Sequence, residues 1–166
     1  MNSLDTSANS SLRLWLHLMK CTKSVEAHMA SQFRSHHNQS LARFDVLSQL
    51  YRFENAWTPI GEVADLMMAS GGNITGLLDR MENEDLVIRR ASPTDRRSYQ
   101  VKMTAQGQKL FNKMTQDHEA WVGEMLAELP ESDKEHLIEL LVGVRRAFEP
   151  EINSEKETKR NKKSAA

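Results

Sequence analysis

Residues 58–81 read TPIGEVADLMMASGGNITGLLDRM. Thr58 suits an N-cap and Pro59 the first helical position, so Ile60–Leu66 is expected to be a short helix. Met67–Ser70 then turns, and Ser70 is placed to cap a second helix. In that helix Ile74, Leu77, Leu78 and Met81 recur at helical spacing and form its buried face. Two short helices with an apolar stripe on each, joined by a tight turn, make the helix-turn-helix pattern.

Downstream lies the only strand-like region. Leu86-Val87-Ile88 leads into Arg89-Arg90, and Tyr99–Met103 alternates apolar with polar. Between them Ala91–Ser98 is polar and turn-rich, which predicts a β-hairpin with an eight-residue tip. The hairpin region 88–104 holds Arg89, Arg90, Arg96, Arg97 and Lys102 against Asp95 alone, a local balance of +4. Residues 105–149 carry five cations against nine anions. The basic end can therefore face phosphate while the acidic helices face away from it.

Helical periodicity extends in both directions. Residues 1–9 are polar and expected to be a flexible N-terminus. A helix over 10–40 carries Leu12, Trp15, Leu16 and Met19, weakens through Lys20–Glu26, resumes at Met29, Ala30 and Phe33, and gives way to a turn at 35–40. Leu41, Phe44, Val46, Leu47, Leu50 and Tyr51 mark a helix at about 41–54. Thr104 is placed to cap a long helix striped by Leu110, Phe111, Met114, His118, Trp121, Val122, Met125 and Leu129. After Pro130, Glu131 and Asp133 suit a helix start, and Leu137, Leu140, Leu141, Val144 and Phe148 form the last stripe. Residues 149–166 have almost no apolar side chains and are expected to be disordered. The organisation is thus 1–9 tail, 10–40 helix, 41–104 helix-turn-helix with hairpin, 105–148 helical pair and 149–166 tail. The fold class is mainly α with a small β-hairpin.

Composition bounds the function. The chain has 166 residues, 39% hydrophobic and 27% charged, consistent with one globular domain or subunit. Its net charge of -1 excludes a uniformly basic nucleic-acid coat. A single cysteine, Cys21, cannot form an internal disulfide or a CxxC metal site. No apolar run approaches the ~20 residues of a membrane span, and no secretory leader is evident, so a cytoplasmic protein is expected. The six histidines show no HExxH spacing, and neither a nucleophile elbow nor a P-loop is present. No enzymatic activity, metal or cofactor is expected.

Three motifs, in order, resemble the MarR family of winged-helix transcriptional regulators. They are Ser70–Met81 (SGGNITGLLDRM), Glu84–Arg90 (EDLVIRR) and Asp95–Thr104 (DRRSYQVKMT). The last is similar to the family's wing signature, D-x-R followed by an alternating strand ending in Leu-Thr, with Met103 in place of Leu. The resemblance implies a winged helix-turn-helix homodimer, held through its N- and C-terminal helices. Such a two-fold dimer would read a pseudo-palindrome in double-stranded DNA with half-sites about one helical turn apart.

With the core face assigned, the opposite face of the second helix presents Gly72, Asn73, Thr75, Gly76 and, one turn on, Asp79 and Arg80. Asn pairs with adenine, Thr reaches a thymine methyl or a phosphate, and glycines permit close backbone approach. Ser70 offers the helix N-terminus to phosphate. In the wing, Arg96 or Arg97 is expected to enter the minor groove, with Arg89 beside them and Asp95 orienting an arginine.

The resemblance also implies release by a small aromatic ligand. Leu12–Leu18, Leu41–Val46 and Gly71–Leu78 look like the branch that senses hydroxycinnamoyl-CoA thioesters. Such a ligand needs an apolar slot, for which Trp15, Met19, Met29 and Phe44 are candidates. It also needs cations, for which Arg34, His36, His37 and Arg43 are candidates. Two alternatives stand beside this: a redox trigger at Cys21, flanked by Lys20 and Lys23, and a helical interaction module without DNA contact.

Overall fold

The computed structural model describes residues 4–67, 74–93, 95 and 98–164, with side chains from 10 to 147 within those stretches. Residues 1–121 and 122–166 form two units. In chain order the elements are α1 (Leu4–His37), α2 (Leu41–Arg52), β1 (Thr58–Pro59), α3 (Ile60–Leu66), α4 (Ile74–Asn83), β2 (Val87–Ala91), β3 (Tyr99–Met103), α5 (Ala105–Met125) and α6 (Glu131–Ser164).

Helix α1 is longer than its stripe suggests at both ends. It begins at Leu4 and runs without interruption through the weak stretch 20–26 to His37. Its stop is conformational: Asn38 takes φ 54, and its N–H donates to Arg34 O at 3.1 Å. Asn tolerates this left-handed position, which closes a helix C-terminus. Ser40 then caps α2, its hydroxyl accepting from the Arg43 N–H.

The small sheet has three strands where two were expected. Strand β3 is central, in the order β1-β3-β2, and all pairing is antiparallel. β2 and β3 are in register from Val87 opposite Met103 to Ala91 opposite Tyr99. Thr58 pairs with Val101 and is buried, so it belongs to the sheet and does not cap α3. Pro59 takes the N-cap position instead and makes no side-chain cap bond. Proline is tolerated there because β1 is an edge strand. Because β2 reaches Ala91, the wing tip is shorter than the eight residues expected.

The core of the first unit unites both halves of the helix-turn-helix with the wing. Val46, Leu47 and Leu50 of α2, Val63 of α3, and Leu77, Leu78 and Met81 of α4 pack with Leu86, Val87, Val101, Met103 and Phe111. The apolar positions inferred for α4 are thus its buried face, with Ile74 at the margin. Helix α5 is capped by Thr104, whose Oγ1 accepts from Gly107 N–H at 2.9 Å and donates to Asp85 O.

By contrast, the first half of α1 leaves Leu12, Leu14, Trp15, Leu16 and Met19 exposed. In the second unit α6 leaves Leu137, Ile138, Leu140 and Leu141 exposed. Helix α6 also continues to Ser164, through a tail whose polarity predicts no structure. Glu, Lys and Arg are good intrinsic helix formers, a preference that apolar periodicity does not register.

Candidate nucleic-acid interface

The recognition helix α4 and the wing are joined by one arginine. The Arg89 backbone N–H donates to Glu82 Oε1 at 3.0 Å, and its Nε and Nη2 donate to Glu82 Oε2 at 2.8 and 2.6 Å. Nη2 also lies 2.7 Å from Asp79 Oδ1. Asp79 and Glu82 are three apart and so share a face of α4. The hydrogen bonds that Arg89 donates to Glu82, with Asp79 adding and burial opposing, raise its pKa above the ordinary value. Arg89 was expected at the DNA surface; its side chain is 21% exposed, its Nε and Nη2 are engaged by Glu82 and Asp79, and it ties β2 to α4.

Arg90, its neighbour, points to the other side of the strand. Its guanidinium lies 4.2 Å from the centre of the Trp57 ring, and its Nε donates to Gln100 Oε1 at 3.0 Å. This cation–π contact was not foreseen, because Trp57 lies outside every helical stripe. At the base of the wing loop, Ser98 donates through N–H and Oγ to Asp95 O, and Ser92 N–H donates to Ser98 O. The loop therefore leaves the sheet from a hydrogen-bonded neck.

Thr75 is exposed and Gly76 half-buried in the first turn of α4, and Arg80 is exposed one turn further on. Thr75 shares a groove of about 670 Å³ with Pro59, Ile60, Gly61, Glu82, Arg89, Ser98 and Tyr99. Start of α3, first turn of α4 and wing neck thus converge on one concave surface. Ser70, Gly72, Asn73, Arg96 and Arg97 lie outside the described residues, as does any pairing of Asp95 with Arg97.

The residues expected to line an effector slot divide into separate places. Trp15 and Met19 are exposed on α1, roughly 15–27 Å along the helix axis from Met29 and Phe33. Met29 is buried, and Phe44 joins a ring cluster centred on Phe33. Phe33 stacks on Phe44 at 4.6 Å and on His118 at 5.7 Å, with Trp121 edge-on at 5.3 Å. Within one chain, therefore, these four apolar candidates do not form a single slot. The i,i+4 pair Phe33/His37 and the i,i+3 pair His118/Trp121 were the sequence signal for this cluster.

His37 is nearly sealed, and its Nε2 lies 2.9 Å from Asp117 Oδ2, off the line of a hydrogen bond. His36 is exposed and tilts against Trp121. Burial holds the His118 pKa below its ordinary value, with the charge of Glu119 opposing.

Arg43 is held elsewhere, by a carboxylate that sequence reasoning missed. Its Nη1 and Nη2 donate to the two oxygens of Glu84 at 2.7 and 2.6 Å, and Nη1 donates to Gln39 Oε1 at 2.8 Å. This bidentate pair ties the first turn of α2 to the residue after α4. The hydrogen bond from Arg43 lowers the Glu84 pKa, partly offset by burial, and the charges of Arg43 and Arg80 add to the lowering. Nothing in the spacing of residues 43 and 84 announces the pair. No group of three or more His, Cys, Asp or Glu suited to a metal is found among the described residues. No helix among them is long and apolar enough to cross a membrane.

Comparison with known proteins places this arrangement. The MarR family model matches residues 40–99, from the N-cap of α2 to the first residue of β3. The HTH-type transcriptional regulator MhqR of Bacillus subtilis (strain 168) is 34% identical over 131 residues, covering 79% of this chain and 88% of MhqR. Among solved structures, a MarR family transcriptional regulator from Silicibacter pomeroyi superposes with a TM-score of 0.75 at 23% identity, over 86% of this chain and 97% of that one. An organohalide-sensing transcriptional regulator in its 2,4-dichlorophenol-bound form superposes with a TM-score of 0.73 at 19% identity, over 90% of this chain and 87% of that one. A helix-turn-helix pinned to a three-stranded wing, and a relative matched over most of both lengths, lead to one assignment: the chain belongs to the MarR family of winged-helix, DNA-binding transcriptional regulators.

Proposed function

We propose that the protein is a homodimeric repressor that reads a pseudo-palindromic operator and is released by a small aromatic ligand. The observation that carries the DNA half is the Arg89–Glu82–Asp79 connection, which makes helix and wing one rigid reading surface. In this reading Thr75, Gly76 and Arg80, together with Ser70, Gly72 and Asn73, face the major groove. Arg96 and Arg97 reach the minor groove, where negative potential is enhanced.

The exposed apolar faces of α1 and of α6 support dimerisation, because apolar faces of that extent are usually covered by a partner. A second copy would also bring Trp15 and Met19 next to side chains that their own chain cannot reach, so the aromatic slot is completed only in the dimer. The dichlorophenol-bound relative supports the aromatic class of effector. Hydroxycinnamoyl-CoA thioesters are the specific members proposed. The ligand acts by binding one spacing of the two recognition helices better than the other.

Selection of duplexes from a random pool tests the first half. Fluorescence anisotropy of the winner with p-coumaroyl-CoA, feruloyl-CoA and the free acids tests the second. A palindrome released by a thioester but not its acid is expected. A palindrome indifferent to all four compounds discards the thioester, and no enriched sequence at moderate salt discards the repressor reading. Cys21 is exposed on α1, so peroxide treatment with Cys21→Ser as control tests the redox alternative in the same assay.

A further inference from the structure

The two arginines of β2 face opposite sides of the sheet, because successive residues of a strand alternate. Arg89 turns inward to Glu82 and Asp79 of α4. Arg90 turns outward, where the register sets it opposite Gln100 and sets Ile88 opposite Lys102. Arg90 and Lys102 are therefore diagonal neighbours on the outer face, a spacing of about 7–8 Å in an antiparallel pair. The paired residues of the three strands include no carboxylate. Neither Arg90 nor Lys102 forms an ion pair among the described residues.

Arg90 is also set in place. Its guanidinium lies 4.2 Å from the centre of the Trp57 ring, and its Nε donates to Gln100 Oε1 at 3.0 Å. Among the described residues nothing accepts from its Nη1 or Nη2, the two donors suited to an oxyanion. Trp57 is itself bracketed by two residues fixed to β3. Asn55 accepts from Met103 N–H at 2.8 Å and donates to Met103 O at 3.2 Å. Thr58 is buried and pairs with Val101. The ring is thus a seat built onto the sheet, and a seated guanidinium loses less freedom on meeting a phosphate than a loose one.

We propose that this outer face grips the DNA backbone on the far side of the wing from the bases that α4 reads. Arg90 is the contacting residue, Lys102 adds charge beside it, and Trp57 is the positioning residue. The occupant is DNA because the face is continuous with the reading surface: Arg89 pins β2 to α4, so a duplex seated on α4 runs past the wing. A phosphate contact carries no sequence information, so it adds affinity for any duplex long enough to reach it. The contact rests on the DNA-reading half of the function proposed above.

The experiment is fluorescence anisotropy of the full chain across a salt series, on three duplexes. They are the selected palindrome alone, the palindrome with about one helical turn of random flank on each side, and a random duplex of the longer length. Arg90→Gln should weaken the flanked palindrome and the random duplex by the same factor, about three- to tenfold. The slope of log K against log salt should fall by about one per chain, and the bare palindrome should be unaffected. Trp57→Leu should cause a smaller loss on the same two duplexes and none in the Arg90→Gln background, while Trp57→Phe restores binding. Circular dichroism checks that each variant folds.

Wild-type affinity and slope in Arg90→Gln overturn the proposal. A loss confined to the palindrome also overturns it, since Arg90 would then act on base reading. An equal loss on the bare palindrome overturns the flanking location. If Trp57→Leu weakens binding equally with and without Arg90, the tryptophan serves the fold and its positioning role fails. If no palindrome is ever selected, the repressor reading fails and the random duplex still decides the contact. If a palindrome is selected and Arg90→Gln binds all three duplexes as wild type does, the outer-face contact alone fails.

Discussion

Arg89 gives Glu82 three hydrogen bonds, one from its backbone and two from its side chain, and so fixes β2 of the wing against α4. Replacing either partner by Gln is expected to destabilise the fold by roughly 1–3 kcal/mol, below the loss for a fully buried pair because this one is partly exposed. A double-mutant cycle by urea denaturation should show the double variant losing little more than either single one. DNA binding distinguishes positioning from contact. Arg89→Gln should lower affinity for the selected palindrome more than for random duplex. Equal losses, with the salt slope reduced by about one, would instead make Arg89 a phosphate contact.

Gly107 sits where the first turn of α5 crosses the start of the wing. A Cβ built there would meet Leu86 O at 2.0 Å and Met103 Cγ at 2.8 Å. Backbone cannot give way as a side-chain tip can, so Gly107→Ala should cost roughly 1–3 kcal/mol or more by overpacking. Gly123→Ala is the control, since nothing lies within 4 Å of its position. In the last turn of α5 it should gain a few tenths of a kcal/mol, roughly half or less of the ~1 kcal/mol for a helix interior. Thermal denaturation of the two variants should therefore move in opposite directions.

What was legible in the sequence is what repeats locally. Ile74, Leu77, Leu78 and Met81 gave the buried face of α4, and the alternation of Tyr99–Met103 gave β3, because each pattern lies within one element. Strand β1 was not legible: two residues carry no alternation, and its partner Val101 is far along the chain. The same distance hid Arg43–Glu84, while Arg89–Glu82 was hidden by charge counting, which treats a paired arginine and a free one alike. The apolar slot candidates are separated within one chain for a geometric reason. Trp15 precedes Phe33, the residue Phe44 stacks on, by roughly 27 Å along α1.

Asp85 closes α4 in the left-handed region at φ 56, with Leu86 N–H donating to Met81 O at 2.9 Å and Asp85 N–H to Glu82 O at 3.0 Å. This is a Schellman closure, in which glycine is the usual residue because it lacks the Cβ clash. Asp85→Gly should stabilise the protein by about 0.5–1 kcal/mol, the relief of strain exceeding the added freedom of the unfolded chain. The backbone acceptor for Thr104 Oγ1 is kept, so no hydrogen bond is lost. A lowered denaturation midpoint would mean that the aspartate carboxylate contributes more than its conformation costs.

His118 couples the ring cluster to pH. It stacks on Phe33 and tilts against Phe44, and burial holds its pKa below the ordinary 6.5, with Glu119 opposing. In the unfolded chain the imidazole takes its proton near the ordinary value, whereas in the folded protein it resists until lower pH. The unfolded state therefore binds more protons through that window, and stability rises with pH across it. The His118 contribution is complete above 6.5 and is lost as the pH falls through 6.5 toward the lowered folded value. Urea denaturation at pH 7.5 and at pH 5.5 should show a loss on the acid side that His118→Phe reduces. An acid loss that persists unchanged in His118→Phe would mean that His118 is not its source.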